Sequence, residues 1–301
     1  INRAAGDFQG IREATILSIL LVVVVSVALV LQKAILKSGS YDIIKGKSMR
    51  PTVIKLRSAK IPLLIISIVT LVIIVVVPLG MIFLVGLLKS YGLPLVPSNF
   101  DFSNYTNILF NNKMVHDGVS NSLILAVSSG IFAMLLGVMI AYVIIKIKPK
   151  GKGALEFLAT LPYSLPGTVL AIGVILAWSG KILNINLYNT LWIIFIAYIA
   201  RYLSFSMNAA SAALRQVHPS LEEASRSCGA SHTESLKDIT LPLIRPAMLS
   251  GFFLIFLPAM RELTTSSLLY GPYTRTLGVA IYMLRSDGYI TQAIYPSLRN
   301  M

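Results

Sequence analysis

Gly46-Lys47-Ser48 ends like a phosphate-binding loop, in which backbone N–H groups cradle phosphates and a lysine neutralises them. That motif needs glycine five residues before Gly46 and finds Tyr41, and no strand-to-helix pattern surrounds it, so ATP binding by this chain is rejected. His116, His218 and His232 are too scattered to suggest a metal cluster, and the lone cysteine, Cys228, leaves no internal disulfide and reads as a small helix residue. Three ionisable residues in or beside apolar stretches remain, Arg201, Arg261 and Glu262. A charge facing lipid costs at least about 2.5 kcal/mol, so such groups are functional candidates. Arg201, inside YIARYLSFSMNAA, is either a buried charge satisfied by helix ends or a gate or coupling contact. Arg261 and Glu262 sit where snorkelling to the interface is the plain reading, while a carboxylate at Glu262 would suit a cationic substrate. Tyr163 and Ser164 lie between Pro162 and Pro166. A helix broken there must satisfy its freed backbone groups against protein or a water-filled cavity, so 161–167 is either a pathway wall or a packing kink.

The elements that position these residues are apolar spans. With 55% hydrophobic and 13% charged residues and a mean hydropathy of +0.77, the chain is too apolar for an ordinary soluble domain. The first span, Ala14 to about Leu36, suffices to cross a bilayer of roughly 30 Å at about 1.5 Å per residue. A linker follows with Lys37, Lys45, Lys47, Arg50, Lys55, Arg57 and Lys60 against Asp42 alone, which predicts a cytoplasmic position. Further spans are expected at Ile61 to Leu88 with a kink at Pro78, Val119 to Ile145, Leu155 to Trp178, Thr190 to Leu214, and Leu243 to about Leu263. Segment 89–117, poor in basic residues, is expected outside, and the run Lys146, Lys148, Lys150, Lys152 inside. The net charge of +14 thus follows membrane topology rather than a nucleic-acid surface.

The longest polar run between apolar segments is SLEEASRSCGASHTESLKDITLP, Ser220 to Pro242. Pro219 suits a first helical position, and Glu222 and Glu223 then fall in the first turn, where the helix dipole favours negative charge. Gly229 can take the left-handed conformation that ends this helix. Ser231 and Glu234 have capping-box spacing, which predicts a second short helix to about Ile239, closed by Leu241-Pro242.

Glu223-Ala224-Ser225, Gly229 and the later Ile239, Leu241 and Pro242 resemble the EAA signature of permease subunits of binding-protein-dependent type I ABC importers; Ser225 stands where the signature has alanine. The resemblance implies a coupling helix docked in a groove of a cytoplasmic ATPase subunit, with Glu222, Glu223, Ala224, Ser225, Gly229, Ile239, Leu241 and Pro242 forming the joint. LPYSLPGTVLAIG, RELTTSSLLYGPYTRTLGVAIY, NSLILA at Asn121 to Ala126 and the basic linker extend the resemblance, and together look like permeases of ferric iron importers. Thiamine, phosphonate, polyamine and sugar-phosphate permeases share much of this pattern.

The resemblance implies an all-α polytopic transmembrane helical bundle with a cytoplasmic coupling helix, in a bacterial inner membrane and in contact with lipid. It implies no catalysis, cofactor or metal on this chain, and no nucleic acid. ATP and Mg belong to an ABC ATPase subunit dimer, and substrate arrives on an extracytoplasmic solute-binding protein. A second permease half is expected, either fused or as a homodimer. GDFQGIREATILSILL near the start has the rhythm of SDGYITQAIYPSL near the end. This predicts that 1–36 is the last helix of a preceding half, 37–60 a linker, and 61–301 a permease domain lacking its final helix. Two rival classes are a secondary transporter with discontinuous helices at LPYSLPG and FLPAMRE, which needs no ATPase, and a non-transporting scaffold. Neither needs a two-helix cytoplasmic knob of this spacing.

Overall fold

The computed structural model describes residues 27, 57–89, 94–106, 110–180 and 184–284. Apart from Val27, the first expected span lies outside them, as do the linker up to residue 56 and the sequence echo near the chain's end. The chain divides into two units, one comprising 35–113 and the other chiefly 114–301. No strand occurs among the described residues.

In the smaller unit, helix α1 (Lys60–Gly86) has the most apolar composition of the spans, and none of its most apolar window is buried. Its C-terminal end is tied to the following loop: Tyr105 donates to the Phe83 carbonyl at 2.9 Å, and Asp101 N–H to the Leu87 carbonyl at 2.7 Å.

The larger unit holds α2 (Lys113–Ile147), α3 (Lys152–Ser164), α4 (Gly167–Trp178), α5 (Leu191–Gln216), α6 (Pro219–Ser227), α7 (His232–Met260) and the short α8 (Ser266–Leu269). Helix α5 is central. One apolar cluster joins Leu125 of α2, Val174 of α4, Ile194 and Tyr198 of α5 and Ile255 of α7; a second joins Ala141, Ala159, Met207 and Ile244. Small residues allow the helices this proximity: a Cβ on Gly137 of α2 would lie 2.6 Å from Ser206 Oγ and 2.7 Å from the Met207 nitrogen of α5.

Prolines shape three of the helices in one way. Val77 N–H bonds the Val72 carbonyl just before Pro78, Lys148 N–H the Val143 carbonyl just before Pro149, and Leu241 N–H the Leu236 carbonyl just before Pro242. Each is an i to i−5 bond, a single wide turn. Proline removes one i to i−4 bond and crowds the carbonyl one turn back, and widening the preceding turn accommodates both effects.

One expectation is corrected here. The second helix of the polar stretch does not close at Leu241-Pro242; it runs on through the wide turn into α7 and reaches Met260 without a break. The span expected at Leu155 to Trp178 is interrupted, as its prolines implied, and forms two arms bent by 113°. The break falls at Leu165-Pro166, where Leu165 takes the extended conformation favoured before proline, whereas Pro162 stays inside α3. Among the described residues four helices, α1, α2, α5 and α7, are long and apolar enough to cross a membrane, and α3 with α4 makes a fifth if the pair is one span.

Candidate functional site

The polar stretch folds as a knob at the end of α5. His218 Nδ1 accepts from the Ser220 N–H at 3.2 Å, with Pro219 beside it in the first turn, so α6 starts with two of its orphan ends resolved. At its other end Gly229 has φ +96°. Gly229 N–H bonds the Arg226 carbonyl at 3.0 Å and Ala230 N–H the Ser225 carbonyl at 3.2 Å, the paired bonds of a Schellman cap. The capping box is complete: Ser231 Oγ accepts from the Glu234 N–H at 3.3 Å, and Glu234 Oε2 accepts from the Ser231 N–H at 2.7 Å. The knob is therefore a rigid turn between two capped helices, with Glu223, Ala224 and Gly229 exposed and Ser225 and Ile239 half-buried. Leu241 packs on the second apolar cluster and Pro242 is exposed.

Glu222 turns the other way from Glu223. Its Oε1 lies 2.9 Å from Lys146 Nζ of α2 and accepts from Thr240 Oγ1 at 2.7 Å. Burial pushes this carboxyl up, but the Thr240 hydroxyl, the Lys146 hydrogen bond and the Lys146 charge outweigh it and hold the group below its usual range. Beside it, Tyr142 Oη and His232 Nε2 are 2.9 Å apart. Lys146, Tyr142 and Thr240 were invisible as site residues in the sequence. The one signal was the spacing of Tyr142 and Lys146, four apart and so on one helix face.

The intramembrane charges meet in a second cluster. Glu262, only 8% exposed, accepts from Tyr202 Oη, from Thr264 Oγ1 at 2.6 Å and from the Thr265 N–H at 2.8 Å. Arg201 Nε lies 3.8 Å from Glu262 Oε2, within ion-pair range, and Arg201 Nη1 donates to Thr265 Oγ1 at 3.3 Å. The Glu262 carboxylate thus faces donors of its own chain, although the residue lies on the wall of a cavity of about 500 Å³ shared with Tyr163, Arg201, Arg261 and Phe205. Tyr163 is 45% exposed and packs edge-on to Phe205, Ser164 is half-buried, and Arg261 is exposed at the end of α7.

Gly167, the first residue of α4, makes this cluster possible. A Cβ there would lie 2.7 Å from Arg201 Nη1 and 2.8 Å from Thr265 Oγ1, and it would collide with Thr264 Oγ1. Gly167→Ala is expected to displace Arg201 from its hydrogen bond and destabilise the protein by about 1–3 kcal/mol. A thermal melt of the purified protein in detergent checks this; an unchanged midpoint contradicts it.

Asn121 and Ser122 of α2 hold the loop after α8. Asn121 Nδ2 donates to the Tyr273 and Arg275 carbonyls at 3.1 and 2.9 Å, and Ser122 Oγ accepts from the Leu277 N–H at 2.8 Å. Two separated sequence motifs, NSLILA and YGPYTRTLG, are thereby one structural unit.

Comparison with known proteins places this architecture. The family described as "Binding-protein-dependent transport system inner membrane component" matches residues 133–295, more than half of the chain. A putative 2-aminoethylphosphonate transport system permease protein of Salmonella typhimurium is 30% identical over 71% of this chain and 78% of its own length. A ferric transport system permease protein of Actinobacillus pleuropneumoniae is 31% identical over 96% of this chain, which spans 42% of that longer protein. The spermidine/putrescine transport system permease protein of Escherichia coli is 28% identical over 62% of this chain and 69% of its own. In structure, the chain resembles part of a bacterial ABC transporter involved in the import of the acidic polysaccharide alginate, with a TM-score of 0.55 at 17% identity, covering 78% of this chain and 82% of that one. These relatives are transport components rather than enzymes, and systems of this kind work with an ATPase and a binding protein. The chain belongs to the inner-membrane components of binding-protein-dependent transport systems, as a multi-pass permease of the type I ABC importer kind.

Proposed function

We propose that this permease passes ferric iron, delivered by an extracytoplasmic solute-binding protein, across a bacterial inner membrane. The observation that supports iron is the ferric relative's alignment over 96% of the chain, which takes in the first expected span and the linker as well as the permease domain. That relative's greater length also supports the division expected from the sequence, with 1–36 closing one permease half, 37–60 linking, and 61–301 belonging to a second. On this reading the chain itself holds no cofactor; ATP and Mg act on a dimer of cytoplasmic ATPase subunits.

Closure of that dimer pushes the knob through the exposed face carrying Glu223, Ala224 and Gly229, and α5 and α7 follow because both run directly into it. Tyr163, Ser164, Arg201 and Arg261 line or support the pathway, and Glu262 holds Arg201 in place rather than meeting cargo.

The test is uptake of radiolabelled ferric iron by cells carrying the full-length protein with its ATPase and binding protein, with and without Glu223→Ala. Energy-dependent uptake that falls at least about fivefold in the variant is expected. A second reading, a phosphonate solute, is favoured by the 30% identity to the 2-aminoethylphosphonate permease. Uptake of that compound without iron uptake would replace the substrate and keep the coupling mechanism.

A further inference from the structure

Adjacent helical residues point about 100° apart, so Glu222 and Glu223 can serve different surfaces although they are neighbours in sequence. Glu223 is exposed on the knob, whereas the side chain of Glu222 is 16% exposed and that of its partner Lys146 13%. The knob's links to α5 and α7 are covalent, through Val217-His218 on one side and the wide turn at Leu236–Thr240 on the other. Helix α2 has no such link, since more than seventy residues separate Lys146 from Val217 in the chain. We propose that Lys146 and Glu222 form a latch that fastens the coupling knob to the cytoplasmic end of α2, so that α2 moves with the knob during each transport cycle.

The latch gathers three elements at one point. Lys146, in the last turn of α2, faces Glu222 of α6 at 2.9 Å and the Val217 carbonyl at the α5–α6 elbow at 3.4 Å. Thr240, fully buried in the wide turn of α7, donates to the same Glu222 oxygen that Lys146 approaches. An exposed ion pair is weak because water screens it and two long side chains must be ordered. Here both side chains are largely covered and the carboxylate is oriented by a second, buried donor, which gives the pair a fixed geometry. The Tyr142 to His232 contact, one turn before Lys146 on α2, adds a second point between α2 and the knob, here at the start of α7. Lys146 and Glu222 are positioning residues: they act by making a push on α6 a displacement of α2.

This inference rests on the importer reading, and two measurements separate them. The first is amide hydrogen exchange of segment 219–240 in the purified full-length protein, which needs neither substrate nor ATPase. Lys146→Glu and Glu222→Lys are each expected to speed exchange about tenfold, and the double swap, Lys146→Glu with Glu222→Lys, to restore it. The second is ATP hydrolysed per substrate imported in proteoliposomes with the ATPase and the loaded binding protein. Each single variant is expected to raise this ratio about five- to tenfold, and the swap to bring it back to within about twofold of the unaltered protein. A merely folding role would lower uptake and hydrolysis together and leave the ratio unmoved. Exchange unchanged in both single variants, or a ratio that the swap leaves raised, overturns the latch. If the swap restores exchange but the unaltered protein shows no hydrolysis stimulated by the binding protein, the importer reading fails and the latch stands as a mechanical feature of the fold.

Discussion

Glu262→Leu is expected to destabilise the permease by about 3–5 kcal/mol, the loss typical when one partner of a buried ion pair is removed. Arg201 would be left with its Nη1 bond to Thr265 but without a counter-charge, and its Nε has no hydrogen-bond partner among the described residues even now. The Tyr202 and Thr264 hydroxyls and the Thr265 N–H would lose their common acceptor at the same time. Replacing both charges, with Arg201→Leu alongside Glu262→Leu, is expected to recover most of the loss, because the cost lies in the unpaired charge rather than in the missing pair. Thermal melts of the detergent-purified variants check both statements. A double variant as unstable as the single one would assign the cluster a packing role instead.

Gly229→Val is expected to cut uptake per ATP hydrolysed about tenfold while leaving the bundle folded. At φ +96° a β-branched residue is strained by about 1–3 kcal/mol, and the paired bonds of Gly229 and Ala230 to the Arg226 and Ser225 carbonyls would be lost with that conformation. A Cβ there meets nothing within 4 Å, so the effect comes from the backbone and not from a clash. Gly229→Asn, whose side chain tolerates the left-handed region, is therefore expected to retain most coupling. Paired measurements of uptake and ATP hydrolysis in proteoliposomes decide it; equal loss in the Val and Asn variants would point to side-chain bulk at the joint.

What could be read from the sequence was what neighbours along the chain decide. Pro219, Gly229 and the Ser231 to Glu234 pair act through backbone groups within four residues, so the two ends of the hinge were legible. The continuation through Leu241-Pro242 was not, because a widened turn before proline is as compatible with those residues as a helix end is, and burial of Thr240 and Ile244 against the bundle selects it. Tyr163 and Ser164 were correctly placed at a break, but its angle depends on Gly167 fitting against Arg201 and Thr265, which come from two other elements. Glu262 read as an interfacial charge or a carboxylate suited to a cationic substrate, because one of its donors, Tyr202, lies sixty residues away in sequence. Lys146 read as one more topology-setting lysine, since Glu222 is more remote still.

The knob at 219–240 is expected to face the cytoplasm and to dock on the ATPase. Cys228, the one cysteine of these 301 residues, sits exposed at the end of α6 beside Gly229 and reports on it directly. The decisive measurement is the rate at which a membrane-impermeant maleimide labels Cys228 in oriented vesicles of the full-length protein, with any cysteine outside these residues replaced by serine. Labelling from the cytoplasmic side alone, slowed at least about tenfold by the ATPase subunit, is the predicted result. Labelling from the opposite side, or a rate that the ATPase leaves unchanged, would contradict it.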